Sequence, residues 1–310
     1  MGRTAFVFPG QGSQFAGMGA DLAAAFPEAR EVFERADAAL GEGLSRLCFE
    51  GPEEQLRLTA NTQPAILTAS LAAFAVLAAA GRRPDGVAGH SLGEYSAVGA
   101  AGGLGVEDLV RTVRERGRLM QEAVPVGVGA MSAVLGPERT VVEQACREAG
   151  SGAEVAVAAN FNAPEQTVIA GHAGAVARAG ELLTARGAKR VVPLPVSAPF
   201  HSPLMVPARE GLEPVLERLP FARLACPLYN NVDAAAVDAP SAVRDGLLRQ
   251  VDRPVRWVEL IAAMVADGFD TFVEVGPGSV LSGLIRRIAR EASTVQAGTA
   301  EQVERFLKQS

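Results

Sequence analysis

With 310 residues, 48% of them hydrophobic, the chain can bury a substantial core and exceeds one simple domain, so a large domain carrying an insertion is expected. A formal net charge of −6 argues against nucleic-acid binding, which needs a phosphate-neutralising basic face, although local basic patches remain compatible with it. Cys48, Cys146 and Cys226 are odd in number and far apart, fitting neither a disulfide framework nor metal-ligand spacing, so a reducing, cytoplasmic setting is expected.

At the start of the chain, the apolar stretch Ala5 to Phe8 stops at Pro9-Gly10, too short for a signal peptide. Met1-Gly2 is discounted as a lipidation site because Phe6 stands where that motif needs Ser or Thr. Thr4 to Phe8 reads instead as a buried strand, running into the loop Pro9-Gly10-Gln11-Gly12-Ser13-Gln14 and leaving Gln11 at a strand's end. Helices are expected over Glu28 to Leu40 and Gln63 to Ala80. The longest wholly apolar run, Leu71 to Ala80, is half the roughly 20 residues of a membrane span, so it reads as a buried helix and no membrane partner is expected.

Next comes a short strand, Gly86 to Gly89, and the run Gly89-His90-Ser91-Leu92-Gly93. This G-x-S-x-G pattern before an Ala-rich helix, Ser91 to Ala101, reads as a nucleophile elbow: flanking glycines permit a sharp turn that projects the Ser91 hydroxyl. At a helix N-terminus the free N–H groups, that of Leu92 included, favour an oxyanion. A Gly-rich turn with a capping serine would carry the same pattern. A helix over Val106 to Glu122 follows, and the alternation of strands and helices predicts a parallel sheet.

From about Gly129 to Val196 the rhythm changes. Ala130 to Leu135, Val155 to Phe161, Gln166 to Ala170 and Arg190 to Val196 read as strands, with helices at Pro137 to Ala149 and Ala173 to Ala185. That β-α-β-β-α-β order is the order of a ferredoxin-like unit. Strand and helix units resume afterwards with helices at Leu204 to Leu219 and Ala239 to Arg249 and a strand at Thr271 to Val275, so residues 128–197 are expected as an insertion in an α/β domain made of 1–127 and 198–310. A cleft is expected between the two.

A serine nucleophile needs a base, and the chain has three histidines. His90 adjoins Ser91, and neighbouring side chains in a tight turn point apart, so packing suits it better. His172 opens a helix of the insertion, where a surface or capping role is expected. His201 lies in Ser197-Ala198-Pro199-Phe200-His201-Ser202-Pro203, which returns from the insertion at the mouth of the expected cleft. No Asp or Glu presents itself to hold its other ring nitrogen, although a backbone carbonyl can serve. Arg111, Arg114, Arg116 and Arg118 share one helix, where a solvated basic face and a fork for a substrate carboxylate are both compatible with the pattern.

At this point the residues closely resemble the malonyl-CoA:acyl carrier protein transacylases of bacterial type II fatty acid synthesis and the related polyketide synthase acyltransferases. The resemblance runs nearly end to end. It is carried by Phe8 to Gln14, Thr62-Gln63-Pro64-Ala65, Gly89 to Tyr95, Arg116-Gly117 with Met120-Gln121, Asn160 to Pro164, His201, Arg249-Gln250 with Pro254-Val255 and Trp257, and Glu274 to Gly278. It implies a hydrolase-like α/β domain with a parallel central sheet and a ferredoxin-like insertion. It further implies Ser91 as nucleophile, His201 as base, the Gln250 carbonyl as the support of the imidazole, and the N–H groups of Gln11 and Leu92 as an oxyanion hole. Arg116 would bind the malonyl carboxylate, with Gln63 and Asn162 lining the pocket.

The implied reaction is a ping-pong transfer from malonyl-CoA to an acyl carrier protein, in fatty acid or polyketide biosynthesis, by a monomer needing no metal or nucleotide cofactor. Phe200 departs from the serine that many free-standing bacterial members carry before the histidine; an aromatic there accompanies malonyl choice in modular polyketide enzymes. Lys189-Arg190 and Arg286-Arg287 are candidate docking patches for the acidic carrier. A serine thioesterase or esterase, a trans-acting polyketide acyltransferase of other extender specificity, and a carrier-binding component without catalysis are the alternatives.

Overall fold

Thr4 to Phe8 alternates its side chains between two apolar layers, as a strand with a period of two must. Ala5 and Val7 enter one core with Trp257, Phe269 and Phe272, while Phe6 and Phe8 enter the other with Met18, Leu22 and Leu67. Burial on both faces is why this strand reads as continuously apolar. The computed structural model describes residues 2–196 and 198–308, so Ser197 at the expected domain boundary, and Gln309 and Ser310, lie outside the described residues.

Among the described residues the chain runs β1 (Arg3–Phe8), α1 (Ala20–Ala25), α2 (Pro27–Leu40), α3 (Leu44–Glu50), α4 (Glu53–Leu56), α5 (Thr59–Ala79), β2 (Gly86–Gly89), α6 (Gly93–Ala100) and α7 (Val106–Glu122). It continues through β3 (Gly129–Leu135), α8 (Arg139–Ala149), β4 (Ala156–Ala163), β5 (Gln166–His172), α9 (Ala173–Ala185) and β6 (Arg190–Pro193). Then come α10 (Val206–Glu217), β7 (Leu228–Tyr229), β8 (Ala236–Val237), α11 (Pro240–Arg249), α12 (Trp257–Ala266), β9 (Phe269–Val275), α13 (Val280–Ile288), β10 (Ser293–Ala297) and α14 (Ala300–Lys308).

The described strands form two sheets. One has the order β10-β9-β1-β2-β7-β8, parallel throughout except for the β7–β8 pair. The other, β4-β5-β3-β6, is antiparallel, with α8 and α9 packed on it around Val142, Ile169 and Leu183. Two backbone bonds tie β4 of the second sheet to the segment just before α12: Phe161 N–H to Val255 O and Val255 N–H to Ala159 O, each 2.9 Å. The fold is mixed α/β with a parallel sheet. Helix α5 is long and apolar enough to cross a membrane by length and composition, but 78% of its most apolar stretch is buried inside this fold.

Adjacent parallel strands deliver their carboxyl ends to one edge, where ligands of open α/β sheets bind. Gln11 follows β1, Ser91 follows β2 and Asn231 follows β7. The helix expected from Ser91 begins at Gly93 instead, because Ser91 has φ 51°, a left-handed conformation that no α-helix contains. The helix expected over Leu204 to Leu219 starts with a 3₁₀ turn, Pro203–Met205, and spans Val206–Glu217. Gly93 sits so tightly that a Cβ there would lie 2.0 Å from the Phe8 carbonyl oxygen. Gly93→Ala should therefore cost roughly 2–4 kcal/mol of unfolding free energy in urea titrations; a loss below about 0.5 kcal/mol would mean that the turn can open freely.

Candidate active site

The elbow is held from three sides. The His90 N–H reaches the Phe8 carbonyl at 3.0 Å, the Ser91 N–H donates to Asn231 Oδ1 at 2.7 Å, and Asn231 Nδ2 donates to the Gly89 carbonyl at 2.7 Å. A non-glycine residue at positive φ costs of order 1–3 kcal/mol and persists where its surroundings over-determine it. His201 shares this trait, with φ 58°, in a loop pinned by the Ser202 hydroxyl donating to the Pro199 carbonyl at 2.6 Å.

His201 Nε2 lies 2.7 Å from Ser91 Oγ, and Nδ1 lies 2.8 Å from the Gln250 carbonyl. A carbonyl only accepts, so Nδ1 carries the proton and Nε2 offers its lone pair to the serine hydroxyl. No carboxylate bonds to this imidazole among the described residues. Burial first, then the positive charge of Arg116, pushes the His201 pKa from 6.5 down to about 3, against the pull of the Gln250 carbonyl. The ring is therefore a neutral base at any ordinary pH.

Of the four arginines on α7, Arg116 is the buried one, only 2% exposed. Arg111 reaches the Ala39 carbonyl, Arg114 bonds Asn61 and Glu42, and Arg118 pairs with Glu115 and Glu122 at the surface. Gly117 explains the inward position: a Cβ there would meet the Thr59 carbonyl oxygen of α5 at 2.7 Å, so the two helices touch backbone to backbone and Arg116 reaches inward. Its Nη1 donates to Gln63 Oε1 at 2.7 Å, and its Nη2 donates to Gln250 Oε1 at 2.9 Å and Ser91 Oγ at 3.2 Å. Nε has no partner and no carboxylate pairs with the guanidinium among the described residues. Burial lowers its pKa from the usual value, while Tyr95 and Glu94 oppose that.

These groups open onto one cavity of about 170 Å³. Gln11, Gln63, Ser91, Leu92, Arg116, Asn162, Phe200 and His201 all line it, and Gln250 sits fully buried behind them. Neither the Gln11 nor the Leu92 N–H is paired with a backbone carbonyl among the described residues. Asn162 Oδ1 lies 2.8 Å from His90 Nε2, and the His90 ring packs against Trp257 with centroids 5.5 Å apart, which is the packing role expected of it. Of the two roles expected of His172, a side-chain cap is not made: the residue stands partly exposed at the N-cap of α9, and its Nδ1 accepts the Val155 N–H at 3.1 Å. Among the described residues no group of three or more His, Cys, Asp or Glu is placed to hold a metal ion.

Sequence reasoning passed over Glu94 and Asn231, and the apolar wall of Met120, Met131, Val168, Leu194 and Val196. Glu94 is wholly buried, and burial pushes its carboxyl up to about 7 against the Asn231 N–H, Gln250 and Arg116. An acid inside a helix otherwise made of small and apolar residues was the available signal. Asn231, two residues beyond the two-residue strand β7, offered none.

The acyl transferase domain family matches residues 5–306. The malonyl CoA-acyl carrier protein transacylase of Bacillus subtilis is 45% identical over 304 residues, 98% of this chain and 96% of the other, and that of Escherichia coli is 49% identical over 93% of each. The chain belongs to the malonyl-CoA:acyl carrier protein transacylase family. Solved members superpose closely: the acyl carrier protein S-malonyltransferase of Vibrio cholerae has a TM-score of 0.96 at 44% identity, covering 98% of this chain and 99% of the other. A malonyl-transacylase in complex with its type II polyketide acyl carrier protein has a TM-score of 0.97 at 44% identity, covering 99% of this chain and 100% of the other.

A lowered His201 pKa has two consequences with one sign. The unfolded ring takes up a proton below about 6.5 while the folded one stays neutral to about 3, so its contribution to stability is intact above 6.5 and is lost as pH falls through that window. Imidazole ¹⁵N NMR should show His201 neutral at pH 5, where an unperturbed ring would be almost wholly charged. A midpoint near 6.5 would refute the desolvated base.

Proposed function

We propose that the protein transfers a malonyl group from malonyl-CoA to the phosphopantetheine thiol of an acyl carrier protein, in fatty acid or polyketide biosynthesis. Ser91 Oγ attacks the thioester carbonyl as His201 Nε2 takes its proton. The oxyanion forms against the N–H groups of Gln11 and Leu92 and collapses with cleavage of the C–S bond. The leaving thiolate takes the proton from His201, leaving malonyl-Ser91. The carrier thiol, deprotonated by His201, attacks this ester; the second oxyanion collapses with cleavage of the Ser91 Oγ–C bond, Ser91 regains its proton from His201, and the malonyl thioester of the carrier leaves. The Gln250 carbonyl does for the imidazole what a carboxylate does in a serine triad, orienting it and fixing its tautomer.

The observation that carries the malonyl assignment is Arg116. A buried guanidinium without an anion is costly, and its Nη2 already points at the serine oxygen that will bear the acyl group. A carboxylate two bonds beyond the ester carbonyl supplies the missing charge, in the bidentate geometry that Arg favours. Gln63 keeps the guanidinium in place, Asn162 lines the pocket floor, and Phe200 narrows the room beside it. One methyl branch is worth about 1–3 kcal/mol in such a pocket, so preference for malonyl over methylmalonyl would be partial. The order of the second sheet and its helices supports reading 128–197 as a ferredoxin-like insertion in a hydrolase-like domain of 1–127 and 198–310. A cytoplasmic monomer that uses no metal or nucleotide cofactor completes the reading.

Intact-mass measurement after mixing with malonyl-CoA should show one malonyl adduct that Ser91→Ala abolishes; an adduct surviving that change would move the nucleophile elsewhere. Arg116→Ala should cut malonyl loading about 100-fold, the worth of a lost charge-assisted pair, while acetyl loading from acetyl-CoA is spared or raised. Equal loss of both would remove the carboxylate role.

A further inference from the structure

Glu94 is a fully buried acid that the transfer steps above do not use, yet it grips both residues that hold the elbow. Its Oε2 accepts the Gln250 Nε2 amide at 2.9 Å and the Asn231 main-chain N–H at 2.9 Å. Asn231 in turn accepts the Ser91 N–H, and Gln250 Nε2 also donates to the Ser91 carbonyl at 3.0 Å.

The two ends of a glutamine amide are alike in shape and opposite in chemistry, one accepting and the other donating. At Gln250 the oxygen faces Arg116 Nη2 and the NH₂ faces Glu94. Turned over, the amide would set its NH₂ against a guanidinium that only donates, and its oxygen against a carboxylate. The acceptor oxygen of Glu94 on the far side makes the observed orientation the one in which both ends of the Gln250 amide meet a complementary partner. We infer that Glu94 is a positioning residue that fixes the Gln250 amide and through it keeps Arg116 beside Ser91, an inference that rests on the malonyl-transfer reading.

The support of His201 is the main-chain carbonyl of Gln250, which does not depend on how the amide is turned. Loss of Glu94 also leaves the Asn231 side chain its own bonds to the Ser91 N–H and the Gly89 carbonyl, so it acts on recognition of the acyl carboxylate more than on the nucleophile and its base. A merely structural role would lower every acyl transfer alike.

The test is the ratio of kcat/KM for Ser91 acylation by malonyl-CoA and acetyl-CoA. Glu94→Ala should lower the malonyl-to-acetyl ratio about 10-fold or more, with acetyl acylation changing less than about 3-fold. Glu94→Gln, whose amide oxygen can take the place of Oε2, should return the ratio to within about 3-fold of the parent. An unchanged ratio in Glu94→Ala, or an equal fall with both substrates, overturns the inference. Should Glu94→Ala fail to fold, Gln250→Met removes the amide from the other end and must lower the ratio likewise; an unchanged ratio there overturns it equally. A substrate-free crystal structure of Glu94→Ala or Gln250→Met decides the point even if the parent protein takes no malonyl group. Withdrawal of Arg116 from Ser91 supports the positioning role, and an unmoved Arg116 refutes it.

Discussion

Gln250 is the residue on which the site's geometry converges. Its carbonyl accepts the imidazole N–H of His201, its amide oxygen accepts from Arg116, and its amide nitrogen donates to the Ser91 carbonyl and to Glu94. Ser91, His201 and Arg116 reach the cavity from the turn after β2, from the loop after β6 and from α7, elements far apart in sequence. One wholly buried side chain and its own peptide bring all three into a single hydrogen-bonded set. Such a buried network favours one arrangement, because each displaced member leaves a further desolvated polar group without a partner.

The same network carries an electrostatic imbalance. Arg116 is buried among neutral acceptors, and Glu94 lies on the far side of the Gln250 amide rather than against the guanidinium. The charge is thus partly compensated at a distance while the hydrogen-bonding edge facing Ser91 stays available. His201 feels the same cation, and this, added to burial, keeps the ring neutral. One buried positive charge therefore bears on the Ser91 oxygen and on the protonation of His201 together.

Legibility in the sequence followed how local each cause is. β1 is apolar on both faces from Ala5 to Phe8, and β9 ends in an aromatic and β-branched run before Gly276-Pro277-Gly278, so both could be read; β7 and β8 have two residues each, too few for any period, and β10 is a polar edge strand that mimics a loop. The order of strands and helices from β3 to α9 was readable because each of these elements has seven residues or more and Gly or Pro lies at or beside its ends, whereas β6, expected to run to Val196, stops at Pro193. Ser91 stood out through its flanking glycines, and His201 through the scarcity of histidine. Arg116 was inseparable from Arg111, Arg114 and Arg118 without family resemblance, since its burial comes from the Gly117 contact with another helix. Glu94 and Asn231 act only through tertiary partners, so no local pattern marks them.

Ser91 and His201 share a left-handed backbone, each on its own loop. Side chains branched at Cβ are genuine outliers there. A threonine in place of Ser91 would keep a hydroxyl yet oppose the very turn that aims it, so the chemically mildest exchange at this position is a severe conformational one. Side-chain chemistry and main-chain conformation are thus selected together at these two positions, and a hydroxyl or an imidazole alone does not make a replacement equivalent.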